Sequence, residues 1–560
     1  MDFKGEIIKQ IANVLNKNEN EIENAIEKPP KMEMGDFAFP CFRFSKELHK
    51  SPQEIANLIK NEISLEFIER MEVIGAYLNF FIKKEQYIKE IFDKIEEKKE
   101  HYGASGEGIG KKALIEHTSI NPNASPHVGR ARNALIGDSI SRMLKFNGYD
   151  VEIHYFVNDI GKQISMLLVG IKGKENITFD ELLQLYIDIN QKVKEDPQIE
   201  QEVFENLNKL ENGDQEIREA FHKLVSICIE GQAKIFGELN IHYDFFDYES
   251  DFIFDGSVEQ VLKDLEKTGK LFEAEDGRVA INQEEYNLPM KSPVLVITRA
   301  DKTSLYPLRD IAYSKYKAQR GADKNIIVLG EDQKLYFNQV AAALDIINVQ
   351  APEVVHYSFV LLPEGKMSTR QGTVVLLEDL MKEILEKAKA KLAQRYEEVQ
   401  IEKAKAIGYG AIKYAILKCS NEKNVLFDID KALSFEGDAS PYIQYNYARI
   451  RSLLEKANYA QMKIQKDYSV LKEDIEFEII KQIQEFPEVV KRAQENLTPN
   501  LIANYIYSLT KSYSSFYHDI PILTAGEEKV KQMRLLLSEY TGIVIKNALY
   551  LLGIDVIEHM

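Results

Sequence analysis

Residues 113–157 read ALIEHTSINPNASPHVGRARNALIGDSISRMLKFNGYDVEIHYFV, and their pattern decides the fold. Ala113-Leu114-Ile115 is a short apolar strand, and Val151 to Val157 is a second. Between them Ala131 to Phe146 carries helical periodicity and stops at Asn147-Gly148, a pair suited to a helix C-terminus. Strand, loop, helix, strand is the βαβ unit of a doubly wound parallel sheet. The loop Ser119 to Arg130 therefore lies outside the carboxyl end of a strand, where such sheets bind ligands. Pro126 ends the preceding segment, Gly129 permits close backbone approach, and the helix start offers unpaired N–H groups to a phosphate or carboxylate. His127 is placed to donate to an oxygen on which charge develops during displacement at phosphorus. Read alone, His127-Val128-Gly129 is a very weak pattern, and an ordinary loop with a helix-capping histidine is the better reading.

Working outward, Gly103-Ala104-Ser105-Gly106-Glu107-Gly108-Ile109-Gly110 is the clearest linker. The residues before it form a small α/β domain, 1–105. Helical periodicity runs over Glu6 to Leu15 and Pro52 to Ile63, a strand over Val73 to Ile82, and a charged helix over Glu85 to Lys99. Phe80-Phe81 is assigned to its core. Beyond residue 157, an acidic helical stretch, about 164–240, looks inserted. Strands return at Val294 to Ile297 and Asn325 to Gly330, each followed by a helix, so the same sheet is expected to resume. This catalytic domain spans 106–400. Residues 401–560 read as helix almost throughout, a third, all-α domain.

Several domains suit a chain of 560 residues, too long for one core. Hydrophobic residues at 44% and charged residues at 29% give the balance of a globular protein. No apolar run approaches the roughly 18 to 20 residues of a membrane span, so no membrane partner is expected. The start, Met1 to Glu6, lacks the features of a signal peptide. Cys41, Cys228 and Cys419 are too scattered for a metal cluster or disulfide framework, which points to a reducing cytoplasm and no bound structural metal. The net charge of −18 weighs mildly against a nucleic-acid partner, although a local field, not the sum, steers RNA.

A second constellation is Gly365-Lys366-Met367-Ser368-Thr369-Arg370-Gln371-Gly372. Flanking glycines permit a mobile loop, and its two cations suit a leaving pyrophosphate, with neutralisation supplied mainly in the transition state. A solvated basic turn is the plain alternative. Taken together, in order and separation, the two patterns resemble the H-x-G-H and K-M-S-K-S signatures of class I aminoacyl-tRNA synthetases. Here they stand as His127-Val128-Gly129-Arg130 and Lys366-Met367-Ser368-Thr369-Arg370. Further segments resemble the arginyl-tRNA synthetases: Ile115 to Asn123, Phe156 to Gln163, Leu305 to Tyr313, Gly35-Asp36-Phe37-Ala38 and Leu551 to Met560. The similarity runs essentially the full length.

That resemblance implies a Rossmann-type parallel-sheet catalytic domain, a small N-terminal tRNA-contacting domain and a C-terminal helical anticodon-binding domain. It implies ATP with Mg²⁺ as substrate complex, L-arginine and tRNA(Arg) as partners, an aminoacyl-adenylate intermediate and release of pyrophosphate; a monomer is expected. Pro126, His127, Gly129, Lys366 and Met367 match the ATP site. His127, Gly129, Arg130, Lys366, Ser368 and Arg370 match the catalytic signatures. Glu116 and Asp310 match carboxylates for the guanidinium, a planar fork of donors that carboxylates hold best. Tyr306 matches a ring packed on the substrate, and Ser119 and Asn121 match contacts to its amino and carboxylate end. Gln333 is a further match. The plain alternatives are that Glu116 pairs with a nearby lysine and Asp310 caps a helix.

In the helical domain, Pro441 to Ile450 resembles the anticodon-binding helix. Tyr442, Tyr445 and Arg449 fall at i, i+3 and i+7, one helical face and a stacking platform for unpaired bases. Met560 matches a family position near the same site. Three departures stand out: Arg130 for the signature's second histidine, Thr369 for a lysine, and Lys302 where glycine often follows the Asp301 turn. An active synthetase, a duplicated relative with altered chemistry and another class I synthetase all remain open at this level.

Overall fold

The computed structural model describes residues 3–29, 34–123, 125–174, 177–361, 375–394 and 398–559. By contact the chain divides into two compact units. One comprises residues 1–102, 453–484 and 512–543; the other comprises 103–452, 485–511 and 544–560.

In the first unit, helix α1 (Phe3–Leu15) buries Ile7, Ile8 and Ile11 on one stripe. Strand β1 (Phe37–Pro40) follows, then helix α2 (Pro52–Glu62), started by a Ser51/Glu54 capping box with proline in its first turn. The single strand expected over Val73 to Ile82 is two strands, β2 (Ile68–Ile74) and β3 (Tyr77–Ile82). Gly75 at φ +62° turns the chain between them. The antiparallel order is β1-β3-β2, which makes β3 central; Leu78, Phe80 and Phe81 are buried, and the Arg70 guanidinium covers the Phe81 ring at 3.7 Å. Helix α3 (Lys84–Lys98) follows, and its Phe92 packs edge-on against Tyr540 at 4.8 Å.

The second unit is built on strand β4 (Lys112–Glu116), helix α4 (Val128–Phe146) and strand β5 (Asp150–Val157). Four helices follow: α5 (Lys162–Gly170), α6 (Phe179–Glu195), α7 (Pro197–Glu211) and α8 (Gln215–Glu238). They occupy the acidic stretch that follows β5. The chain then adds β6 (Phe245–Tyr248) to the sheet and helix α9 (Ser257–Glu266).

Strands β7 (Leu271–Glu273), β8 (Val279–Asn282) and β9 (Val294–Val296) pair antiparallel in a separate sheet. Val294 to Ile297 therefore does not resume the parallel sheet as expected. Leu295 pairs with Ile281 across a local meander, which satisfies its backbone without the main sheet. Helix α10 (Tyr306–Gln319) leads to β10 (Lys324–Gly330), helix α11 (Lys334–Ile346) and β11 (Glu353–Tyr357).

The five-stranded sheet has the order β11-β10-β4-β5-β6, and every pairing is parallel. Ala113, Leu114 and Ile115 are buried, as a central parallel strand covered on both faces requires. The chain winds from β4 toward β6, then returns to build β10 and β11 on the other side. The switch point, and hence the ligand crevice, falls between β4 and β10.

Helices α12 (Leu377–Ala393), α13 (Ile401–Leu417), α14 (Ser440–Lys456), α15 (Asp474–Glu495), α16 (Asn500–Asp519) and α17 (Glu528–Leu551) complete the chain. By contact the last four are each divided between the two units. No described helix is long and apolar enough to cross a membrane.

Candidate active site

The crevice begins at the last residue of β4. Glu116 is buried there, and its Oε2 is paired with the Nζ of Lys317, which reaches in from α10. The plain alternative for Glu116, a lysine partner, is therefore present. The chain leaves β4 through Thr118 and Ser119, both at positive φ (+74° and +40°), a conformation costly for non-glycine residues and held only where surroundings over-determine it. They do. Asn133 of α4 accepts from the Thr118 N–H at 2.5 Å and donates to the Val328 carbonyl of β10 at 2.7 Å, spanning the switch point. Tyr243 donates to the Thr118 hydroxyl at 2.8 Å, Tyr155 accepts from the Ile120 N–H at 2.9 Å, and Gln232 donates to the Asn121 carbonyl at 3.1 Å. Ser119 Oγ faces Glu116 Oε1 at 3.4 Å and accepts from the Phe156 N–H at 3.2 Å.

Asp310 and Tyr306 sit in the first turns of α10. The Tyr336 hydroxyl of α11 donates to Asp310 Oδ2, and the Tyr306 and Tyr336 rings lie 5.3 Å apart. Burial pushes the Asp310 carboxyl up to about 6; the Tyr336 hydrogen bond opposes this, the Glu116 charge adds to it, and Arg309 and Lys317 also oppose it. That coupling brings Glu116, Asp310 and Lys317 into one electrostatic neighbourhood. Lys302, at φ +69°, takes the left-handed conformation a glycine would adopt more cheaply, and its Nζ is tied to Glu273 at 2.9 Å and donates to the Gly277 carbonyl at 3.0 Å. Lys302 thus holds a left-handed turn without glycine.

Sequence reasoning missed Glu249. It follows β6, is buried, and pairs with Arg309 at 3.0 Å while its Oε2 has no hydrogen-bond partner. Burial pushes its carboxyl up to about 8, opposed by Arg309 and reinforced by Asp310 and Asp159. The signal available was its position just beyond a short aromatic strand, Phe245 to Tyr248, at the carboxyl end of the same parallel sheet as Glu116.

The second half of the crevice is the start of α4, which begins at Val128 rather than Ala131 and so carries Gly129 and Arg130 in its first turn. His127 is the N-cap residue. Burial, with the Arg130 charge, holds its imidazole down to about 4, so it is neutral near pH 7. Arg130 is exposed, yet its charge reaches His127, Tyr155 and Tyr357, opposing the upward shift that burial gives both tyrosines. The positive charge of this signature therefore resides on Arg130. Residues 366–370, with Lys366, Met367, Ser368 and Arg370, lie outside the described residues, as does Met560. The chain just beyond residue 374 is tied to the signature. The Val128 N–H donates to the Val375 carbonyl at 3.1 Å, the Leu377 N–H donates to the Pro126 carbonyl at 2.7 Å, and Ser125 donates to Glu378 at 3.0 Å.

Two further candidates lie apart from the two carboxylates. Gln333 is exposed and donates to Asp332 at 3.0 Å, and Asn121 is exposed; among the described residues no hydrogen bond or ion pair joins either to Glu116 or Asp310. On α14, Tyr442, Tyr445 and Arg449 are the part-exposed positions of a run otherwise buried from Pro441 to Ile450. Arg449 lies 4.7 Å over the Tyr445 ring, and Tyr442 meets Tyr507 edge-on at 6.2 Å.

A switch-point crevice, a helix N-terminus and a neutral histidine define a nucleotide-type site. The same fold occurs in the methionyl-tRNA synthetase of Mycobacterium tuberculosis in complex with methionyl-adenylate, with a TM-score of 0.52 at 13% identity over 79% of this chain and 91% of that one. Residues 93–429, more than half of the chain, match the model of class I tRNA synthetases (R), catalytic domain, and so define the class. Residues 3–82 match the arginyl tRNA synthetase N terminal domain, and 443–560 match the DALR anticodon binding domain. An arginine–tRNA ligase of Methanocaldococcus jannaschii is 36% identical over 99% of both chains, and one of Clostridium perfringens is 36% identical over 100% of both. The Thermus thermophilus arginyl-tRNA synthetase superposes with a TM-score of 0.80 at 26% identity, covering 100% of both chains. The chain belongs to the arginyl-tRNA synthetases.

Proposed function

We propose that this chain activates L-arginine with ATP and transfers it to tRNA(Arg), with Glu116 and Asp310 holding the guanidinium. One observation carries the assignment of the pocket: the Glu116 carboxylate at the end of β4 and the Asp310 carboxylate on α10 lie within electrostatic reach of one another, and Lys317 of the same helix pairs with Glu116. A planar fork of N–H donors is the ligand such a pair suits. Tyr306 covers the side chain, and Ser119 and Asn121 face its amino and carboxylate end. Gln333 stays at the rim.

The chemistry needs no protein nucleophile. The arginine carboxylate attacks the α-phosphorus of ATP, the bond to the β-phosphate oxygen breaks, and pyrophosphate leaves. The terminal ribose hydroxyl of the tRNA then attacks the carbonyl carbon of the adenylate, losing its proton, and AMP leaves. Rate comes from positioning and from neutralising charge as it develops. ATP enters as its Mg²⁺ complex. Pro126 and the Gly129 backbone at the start of α4 lie against phosphate, and neutral His127 donates a hydrogen bond without adding charge. Arg130, with Lys366 and Arg370 and the flanking Met367 and Ser368, bears the triphosphate. Tyr442, Tyr445 and Arg449, with Met560, form the anticodon face. The protein acts as a monomer.

The test is Glu116→Gln in aminoacylation with tRNA(Arg) present. The arginine KM rises at least about tenfold, as expected for losing a hydrogen bond between charged groups, while the ATP KM holds. Equal changes in both constants would remove Glu116 from the guanidinium.

A further inference from the structure

The lysine facing Glu116 belongs to none of the sequence motifs. Lys317 lies in the last turn of α10, fully buried, with its Nζ paired to Glu116 and 4.5 Å from the centroid of the Tyr313 ring. It stands seven residues after Asp310, two turns along the same helix face. Asp310 has the neutral Tyr336 hydroxyl as its hydrogen-bond donor, whereas Glu116 has a buried ammonium. A single helix therefore fixes both carboxylates, one directly and the other through Lys317.

Resting on the reading that this pocket takes a guanidinium, we infer that Lys317 is a positioning residue for arginine: it pins Glu116 through Oε2 and so presents Oε1 and Asp310 to the substrate at a fixed separation. Two features support positioning over simple packing. The carboxylate partner is itself at the end of the strand that opens the crevice, so its orientation is open to ligand. A buried carboxylate otherwise loses its charge or turns toward water, and among the described residues the other side-chain hydrogen-bond approach to Glu116 is that of Ser119 at 3.4 Å, too long to orient it. An ammonium with three donors can hold one carboxylate oxygen while leaving the second for a planar fork.

Lys317 acts through Glu116 alone, and that is what the experiment reads. Aminoacylation is measured on the full chain with tRNA(Arg) for Glu116→Gln, Lys317→Met and the double variant Glu116→Gln/Lys317→Met. The double variant removes both charges, so no lone buried charge opposes its folding. Lys317→Met is expected to raise the arginine KM about tenfold or more, with kcat and the ATP KM within about threefold. The double variant is expected to match Glu116→Gln, because coupled residues are not additive. If Lys317→Met does not fold, the comparison of the double variant with Glu116→Gln decides. A further rise of the arginine KM in the double variant, or an unchanged KM in Lys317→Met, overturns the inference while leaving the pocket reading intact. An unchanged arginine KM in Glu116→Gln overturns the pocket reading and the inference with it.

Discussion

Asp310 shows how burial sets the chemistry of one residue. Its carboxyl is pushed up to about 6 by burial, with Tyr336, Arg309 and Lys317 opposing and Glu116 reinforcing. Only the ionised form attracts a guanidinium. Arginine kcat/KM should therefore fall as pH drops through about 6 and be flat above it, and Asp310→Asn should abolish that limb along with most arginine affinity. A pH profile with no inflection near 6 would remove Asp310 from substrate contact. The stability effect has the opposite sign. A pKa raised above the unfolded value means the burial cost is present above pH 6 and relieved below it.

Arg130 gives a second prediction at this scale. His127, held down to about 4, carries no charge near neutrality, so Arg130→Ala should slow activation at least about tenfold if the guanidinium bears phosphate charge. An unchanged rate in single-turnover activation with tRNA(Arg) would show that it serves solvent only. Glu116, Asp310 and His127 were legible as candidates through the resemblance of the segments that carry them, since each taken alone reads as an ion pair, a helix cap or an ordinary loop. Lys317 and Glu249 were not. A lysine in the last turn of a helix reads as solvated surface, and only its tertiary contacts, Glu116 at the end of β4 and the Tyr313 ring, bury it. Likewise, only the sheet order brings the end of β6 to the same crevice as β4.

At the scale of elements, α4 carries most of the constraint. It is buried along nearly its whole length, so it shows little amphipathic stripe, and its true start three residues before the expected one follows from Val128 bonding to the chain at Val375. That bond joins positions far apart in sequence, which local periodicity does not contain. Gly137 sits mid-helix because a side chain there would strike the ring of His117, with a Cβ 2.3 Å from it. Gly137→Ala should accordingly destabilise the protein by about 1–3 kcal/mol despite alanine's better helix propensity, read as a lowered melting temperature. A raised melting temperature would mean that the β4–α4 packing is looser than described. The strands show the same limit. Val73 to Ile82 has the composition of one strand, but Gly75 at φ +62° breaks it into two. Val294 to Ile297 has the composition of a parallel strand, but its partner is a nearby hairpin. Composition fixed the strand content, while pairing partners came only with tertiary structure.

For the whole molecule, the net charge of −18 was a poor guide to partners, since the chain belongs to a family whose members act on tRNA. The local surface matters more. On α14 the only part-exposed positions between Pro441 and Ile450 are two tyrosines and an arginine at helical spacing. Tyr442→Ala with Tyr445→Ala should raise the tRNA KM, each stacked base being worth about 1–3 kcal/mol, and leave the arginine and ATP constants unchanged. A change confined to arginine and ATP would place that face elsewhere in the mechanism. The domain order was readable along the chain because the linker at 103–110 and the helical tail differ sharply in composition. The sharing of the last helices between two compact units was not, since it depends on contacts between residues hundreds of positions apart. The central claim is that this site charges tRNA(Arg) with arginine despite Arg130 in its signature. The direct measurement is ATP-dependent incorporation of labelled arginine into acid-insoluble tRNA(Arg) by the purified full chain, run beside the other amino acids. Label from arginine alone is the result predicted. Label from a different amino acid, or none with any, would contradict it.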